Sequence, residues 1–219
     1  MPTWLIMTIG FTAQALFSAR ILVQWISSEK SKKLESPLAY WVLSVIGSYT
    51  MFAYGVLRDD FSIVVGQLVS YYIYLWNLDA KGVWKNLAKV WRVILVATPV
   101  VCVGLLARHA GEYVESFFRN EGIPIWLVVF GTLAQLVFAL RFVWQWWVSK
   151  RSGESIMPVS FWVLSAIGSG SIIIYALFRL DIVLIVGQAF GFAVYLRNIW
   201  IGLSAKNKTT TTSTHETAS

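Results

Sequence analysis

The chain contains a copy of itself. Residues 10–78 shifted forward by 121 positions fall on 131–199 without a gap, and about 26 of the 69 aligned pairs are identical. Gln14 meets Gln135, Arg20 meets Arg141, and Gln24-Trp25 meets Gln145-Trp146. Pro37 meets Pro158, Trp41 meets Trp162, Gly66-Gln67 meets Gly187-Gln188, and Tyr74 and Asn77 meet Tyr195 and Asn198. Whatever one copy folds into, the other must fold into as well.

The second constraint is solvent. Seven apolar stretches, 4–26, 39–57, 61–78, 91–106, 125–148, 159–178 and 182–203, are each near the roughly 20 residues that cross a bilayer. With 57% hydrophobic and 13% charged residues, little remains for a soluble catalytic domain. The net charge of +7 does not point to nucleic acid, because the basic residues flank apolar spans. Cys102 lies alone inside the fourth stretch and is expected to pack as a small residue. The start lacks a basic n-region, so no cleavable signal peptide is expected.

Three helices per copy is an odd number. Two copies fused directly would point in opposite directions, and the extra stretch at 91–106 restores a common one. An all-α membrane fold of seven helices is therefore expected, arranged 3+1+3 with parallel repeats. The domains would be 1–80, a linker at 81–122, and 123–204. Lys30, Lys32 and Lys33, then Lys81, Lys85, Lys89 and Arg92, then Lys150 and Arg151, and finally Lys206 and Lys208 all fall on one side if the helices alternate. The positive-inside rule then places the N-terminus outside and the C-terminus in the cytoplasm. Residues 81–92 alternate Trp84, Leu87 and Trp91 with Lys85 and Lys89, which suits either an interfacial helix or a charged loop with Trp anchors. The Thr-rich tail, 205–219, is expected to be disordered.

Polar groups inside a membrane are costly and mark function first. Arg20 and Arg141 lie about 9–10 Å inside the cytoplasmic ends of their helices. Gln24 and Gln145 follow at i+4, on the same face. Two guanidinium forks suit a phosphate or pyrophosphate headgroup, while snorkelling to the interface is the alternative. Gln67, Ser70, Tyr74 and Asn77 form one face of the third helix, and Gln188, Gly191, Tyr195 and Asn198 repeat it. The glutamines, with Gln14 and Gln135, are expected to line a polar path for sugar hydroxyls; the asparagines lean towards interhelical hydrogen bonds. Ser44, Gly47 and Ser48, with Ser165, Gly168 and Ser169, read as close-packing residues. Arg58 with Asp60, and Arg179 with Asp181, read as turn-fixing ion pairs or an outer gate. The seven stretches hold no Asp or Glu, and no nucleophile-base pair, metal cluster or phosphate-cradling loop is present. Neither catalysis nor a cofactor is expected.

The repeated pattern reads S-A-R-I-L-V-Q-W-I at 18–26, P-L-A-Y-W-V-L-S-V-I-G-S at 37–48 and G-Q-L-V-S-Y-Y-I-Y-L-W-N-L at 66–78. It resembles the lipid-A biosynthesis N-terminal domain, a three-helix module related to the PQ-loop and SWEET transporter superfamily. The resemblance covers both copies. It implies a SWEET-like 3+1+3 fold and work on a lipid-linked saccharide or lipid A-type glycolipid in a bacterial inner membrane. In some lipid A disaccharide synthases the module precedes a glycosyltransferase. No such domain is read in these 219 residues, and the Pro-Gln dipeptide of true PQ-loop proteins is absent. A disaccharide-synthase activity is therefore not carried over.

The expected function is a flippase or transporter of a polyprenyl-phosphate-linked sugar or related glycolipid, with its phosphate on Arg20 and Arg141. The alternatives are a SWEET-like carrier of a free solute, and a non-transporting subunit that docks a glycosyltransferase. The expected partners are membrane lipid or a lipid-linked saccharide, a glycosyltransferase and a second copy of the chain, but not nucleic acid.

Overall fold

A computed structural model of the chain describes residues 2–57, 61–107, 124–180 and 182–216. The described residues are helical, without strands. The helices are α1 (Thr3–Ser31), α2 (Leu38–Leu57), α3 (Phe61–Ala80), α4 (Val83–Asn86), α5 (Lys89–Leu106), α6 (Ile125–Ser152), α7 (Val159–Arg179) and α8 (Ile182–Glu216). Each of the seven apolar stretches lies inside one helix. Helical backbone satisfies its own N–H and C=O groups, which lipid cannot do for it. Among the described residues, four helices have the length and hydropathy of a membrane span: Trp4–Ser31, Leu38–Leu57, Ile125–Ser152 and Val159–Arg179.

Local signals set the boundaries. Pro158 stands just before α7, and its carbonyl accepts from the Phe161 N–H at 3.0 Å. Proline there loses no helical hydrogen bond. The first helix of each copy ends in a left-handed residue at the same repeat position. In the second copy this is Gly153 (φ 75°), where glycine bears no Cβ penalty. In the first copy it is Lys32 (φ 57°), a conformation that side chains disfavour.

Residues 81–92 form no continuous interfacial helix. Gly82 (φ 78°) ends α3, α4 is a single turn, and Leu87 is extended before α5 begins at Lys89. Arg92 ties this corner, its Nε donating to the Leu87 carbonyl and its Nη2 to the Lys85 carbonyl, both at 2.9 Å. A side-chain donor thus satisfies carbonyls that a longer helix would have used. The last helix, α8, runs to Glu216. Adding residues to an existing helix is easier than starting one, so modest helix formers such as Thr can extend it.

The chain divides into two compact units, Met1–Arg20 with Leu38–Ile123, and Ile21–Pro37 with Pro124–Ser219. Residues 21–37 belong to the first sequence copy but group with the second unit. In the first unit, Gly47 lies against Phe17: a Cβ at Gly47 would stand 2.8 Å from its ring. In the second, a Cβ at Gly168 would stand 2.8 Å from the Phe138 Cβ and 2.9 Å from its Cα and N. Small residues thus let α6 and α7 pack closely. Residues 58–60, 108–123 and 181, with the expected Arg58–Asp60 pair and Asp181, lie outside the described residues.

Candidate functional site

In the first unit, Arg20 of α1 is 6% exposed. Its Nη1 donates to the Ser44 Oγ at 2.9 Å, and Ser44 in turn donates to the Tyr40 carbonyl at 2.7 Å. The guanidinium lies 4.5 Å from the Phe17 ring centre and 5.3 Å from those of Tyr40 and Tyr74. Phe17 is three residues before Arg20 and so shares its helix face. Tyr40 and Ser44 come from α2, and Tyr74 from α3. Three helices therefore enclose one cation in an aromatic box, where π-faces offset part of its desolvation.

The second unit repeats the theme. Arg141 of α6 is also 6% exposed. Its Nη1 donates to the Phe138 carbonyl, and its guanidinium lies 3.3 Å from the Phe138 ring centre and 4.5 Å from that of Phe142. Phe138 in turn stands 6.4 Å from Tyr195, Phe142 stands 5.5 Å from Phe161, and Trp162 stands 5.9 Å from Tyr195. Phe138, Phe161 and Tyr195 are the repeat partners of Phe17, Tyr40 and Tyr74.

The other expected site residues divide into three groups. Gln24, Gln145, Asn77 and Asn198 are fully buried. Gln24 Nε2 donates to Ser28 Oγ at 2.9 Å, and Gln145 Nε2 donates to Ser149 Oγ at 2.8 Å. Ser28 accepts from the Glu35 N–H at 3.0 Å, and Ser149 accepts from the Ile156 N–H at 3.1 Å. Each glutamine–serine pair thus ties down the loop that leads to the next helix. Asn77 donates to the Ile73 carbonyl and Asn198 to the Val194 carbonyl, at 2.9 and 3.0 Å.

Gln67 and Gln188 are half-buried. Gln67 Oε1 accepts from the Ser48 hydroxyl at 3.2 Å, whereas it is the Gln188 backbone carbonyl that accepts from Ser169, at 3.3 Å. Gln14 and Gln135 are exposed on their helices. Tyr74 and Tyr195 are buried, and Tyr74 stands 6.0 Å from Trp41.

Three features escaped the sequence reading. Phe17 with Phe138, and Ser28 with Ser149, are identical across the repeat, and that identity was the available signal. Ser44, read as a packing residue, also holds Arg20. Glu29 and Arg197 form a fork, with Nε–Oε2 at 2.9 Å and Nη2–Oε1 at 2.7 Å. Their repeat partners are Lys150 and Trp76, so the repeat gave no signal for this pair.

Comparison with known proteins places these features in a family. The Lipid A Biosynthesis N-terminal domain matches twice, at residues 9–79 and 130–200. The chain is 31% identical to the lipid-A-disaccharide synthase of Chlamydia caviae over 88% of its own length and 32% of the relative's. It is 27% identical to the protein of that name from Chlamydia pneumoniae, over 78% of the chain and 29% of the relative. It is also 27% identical to the one from Chlamydia felis, over 88% and 32%. The chain thus spans about a third of the length of these curated relatives. No solved structure matches it.

These names overturn two expectations. The relatives are named for an enzyme of lipid A biosynthesis, not for a flippase, a transporter or a carrier of free solute. The expectation of no enzymatic role falls with them. It rested on missing catalytic residues in an apolar segment, yet this segment matches only about a third of each named enzyme. Two copies of one domain cover most of these helices, and the chain belongs to the Lipid A Biosynthesis N-terminal domain family.

Proposed function

We propose that the chain serves lipid A biosynthesis as the membrane part of a lipid-A-disaccharide-synthase activity, seating the glycolipid while a sugar is joined to it. The observation that carries this reading is the doubled family domain in a chain whose relatives bear that enzyme's name. The glycosyltransferase chemistry would reside in the part of such an enzyme that these helices do not match.

In this reading Arg20 and Arg141 bind the phosphate of the lipid-linked saccharide, each from its aromatic box. Guanidinium donors in a low-dielectric site favour an anionic headgroup. Tyr74, Tyr195, Gln67, Gln188, Gln14 and Gln135 supply further contacts. Gln24, Gln145, Asn77 and Asn198 hold the frame that positions them. The chain sits in the bacterial inner membrane as seven helices in a SWEET-like 3+1+3 order, with its N-terminus outside and its C-terminus in the cytoplasm. The charge distribution of the loops supports that orientation.

The test is a depletion assay. Membranes from cells depleted of the chain receive a radiolabelled sugar donor and are assayed for labelled lipid A-type disaccharide. Depletion should remove the product and re-expression should restore it. Undiminished product after depletion would overturn the proposal.

A further inference from the structure

One groove of the first unit shares no lining residue with the Arg20 box. It has a volume of about 210 Å³ and is lined by Tyr72, Leu75, Trp76 and Asp79 of α3, Trp84 of α4 and Val96 of α5. Its walls are well fixed. The Tyr72 hydroxyl donates to the Val96 carbonyl at 2.9 Å, and the neighbouring Tyr71 hydroxyl donates to the Leu95 carbonyl at 2.8 Å. Trp84 is set by the Gly82 turn and by the Arg92 tie to Lys85 and Leu87.

The groove is not a by-product of the repeat. At the positions of Tyr72, Trp76 and Asp79, the second copy has Ala193, Arg197 and Trp200. Two aromatics and the carboxylate are thus peculiar to the first copy, although both copies build the same three helices.

The lining chemistry selects a charge. Tyr72, Trp76 and Trp84 offer three electron-rich rings, and Asp79, exposed at the end of α3, adds a carboxylate that only accepts hydrogen bonds. Ring faces and a carboxylate both attract cations and repel phosphate. Leu75 and Val96 make the remaining wall apolar, as an acyl chain requires. Lys81, Lys85 and Lys89 follow within ten residues of Asp79, so positive charge is close in sequence to this end of α3.

We propose that this groove binds the ammonium headgroup of a zwitterionic phospholipid, with the ammonium between Trp76, Trp84, Tyr72 and Asp79. This site uses none of the residues of the arginine boxes and does not rest on the glycolipid reading.

The test uses the purified full chain in detergent. It is offered phosphatidylethanolamine and phosphatidylglycerol with identical acyl chains, and bound lipid is counted by native mass spectrometry. Phosphatidylethanolamine should be retained roughly tenfold better than phosphatidylglycerol. Asp79→Asn should abolish that preference, and Trp84→Leu should reduce it. Asp79 is exposed, so its amide variant should fold normally, and far-UV circular dichroism checks this. Equal retention of the two lipids, a preference for phosphatidylglycerol, or an unchanged preference in folded Asp79→Asn would each overturn the proposal. Disaccharide formation in the depletion assay is a separate readout and does not bear on it.

Discussion

Gln24 and Asn198 exchange two hydrogen bonds across 174 residues of sequence. Gln24 Nε2 donates to Asn198 Oδ1 at 3.1 Å, and Asn198 Nδ2 donates to Gln24 Oε1 at 3.0 Å. Both side chains are fully buried. One comes from the first helix of the first copy and the other from the last helix of the second. The second unit therefore includes a segment that the repeat assigns to the first copy.

Removing one partner leaves a buried amide unsatisfied. Gln24→Ala and Asn198→Ala should each destabilise the protein by about 1–3 kcal/mol. The double variant should lose less than the sum, with a coupling of roughly 0.6 kcal/mol or more. Thermal unfolding in detergent micelles measures all three. Strict additivity would show that the reciprocal pair contributes nothing of its own.

The two close-packing glycines should respond differently. At Gly168 the added Cβ meets the Phe138 backbone, which cannot rotate away. At Gly47 it meets the edge of the Phe17 ring, which can turn. Gly168→Ala should cost about 1–3 kcal/mol as overpacking. Gly47→Ala should cost less, and equal losses in melting temperature would contradict the distinction.

The proposed phosphate role makes the arginine fork matter more than its charge. Arg20→Lys and Arg141→Lys should each lower disaccharide formation in complemented membranes by about tenfold. Ser44→Ala removes one bond to Arg20 while leaving the cation and its rings, so it should have a smaller effect. Wild-type product from both lysine variants would reduce the arginines to helix anchors.

Gly153 (φ 75°) should not accept a branched side chain. Gly153→Val should cost roughly 1–2 kcal/mol, and Gly153→Asn less, because Asn tolerates the left-handed region. The melting temperatures should therefore rank Gly above Asn above Val. A valine variant as stable as the parent would show that the turn can reshape.

Glu29 carries two cations, Arg197 through the fork and Lys32 at 2.6 Å. All three side chains are about a third exposed or more. Glu29→Gln should lower the melting temperature only slightly, and high salt should narrow its gap from wild type by screening the pair. A large, salt-independent loss would mean that packing rather than charge holds this corner.

Much of the fold was legible because the relevant signals are local. Lipid demands helices about twenty residues long, proline marks where one begins, and identity at offset 121 transfers each conclusion between copies. The doubled family match keeps that same offset. Parts of the candidate site were legible as buried polar positions for the same reason. Arg20 and Arg141 stand out as the charged groups deep in apolar stretches, and both are buried. The function was misread because the apolar segment was judged alone, while its named relatives are about three times as long.

By itself, then, the sequence determined the helices, the two equivalent copies and the polar residues worth watching. The tertiary structure decided how those residues are used. It put Ser44 on Arg20, used Gln24 and Gln145 to secure loops, and joined Glu29 to Arg197 where the copies differ. Such partnerships depend on which helix faces meet. In a membrane chain both the lipid-facing and the packed faces are apolar, so periodicity cannot tell them apart. A buried amide finds its partner only once the helices have come together.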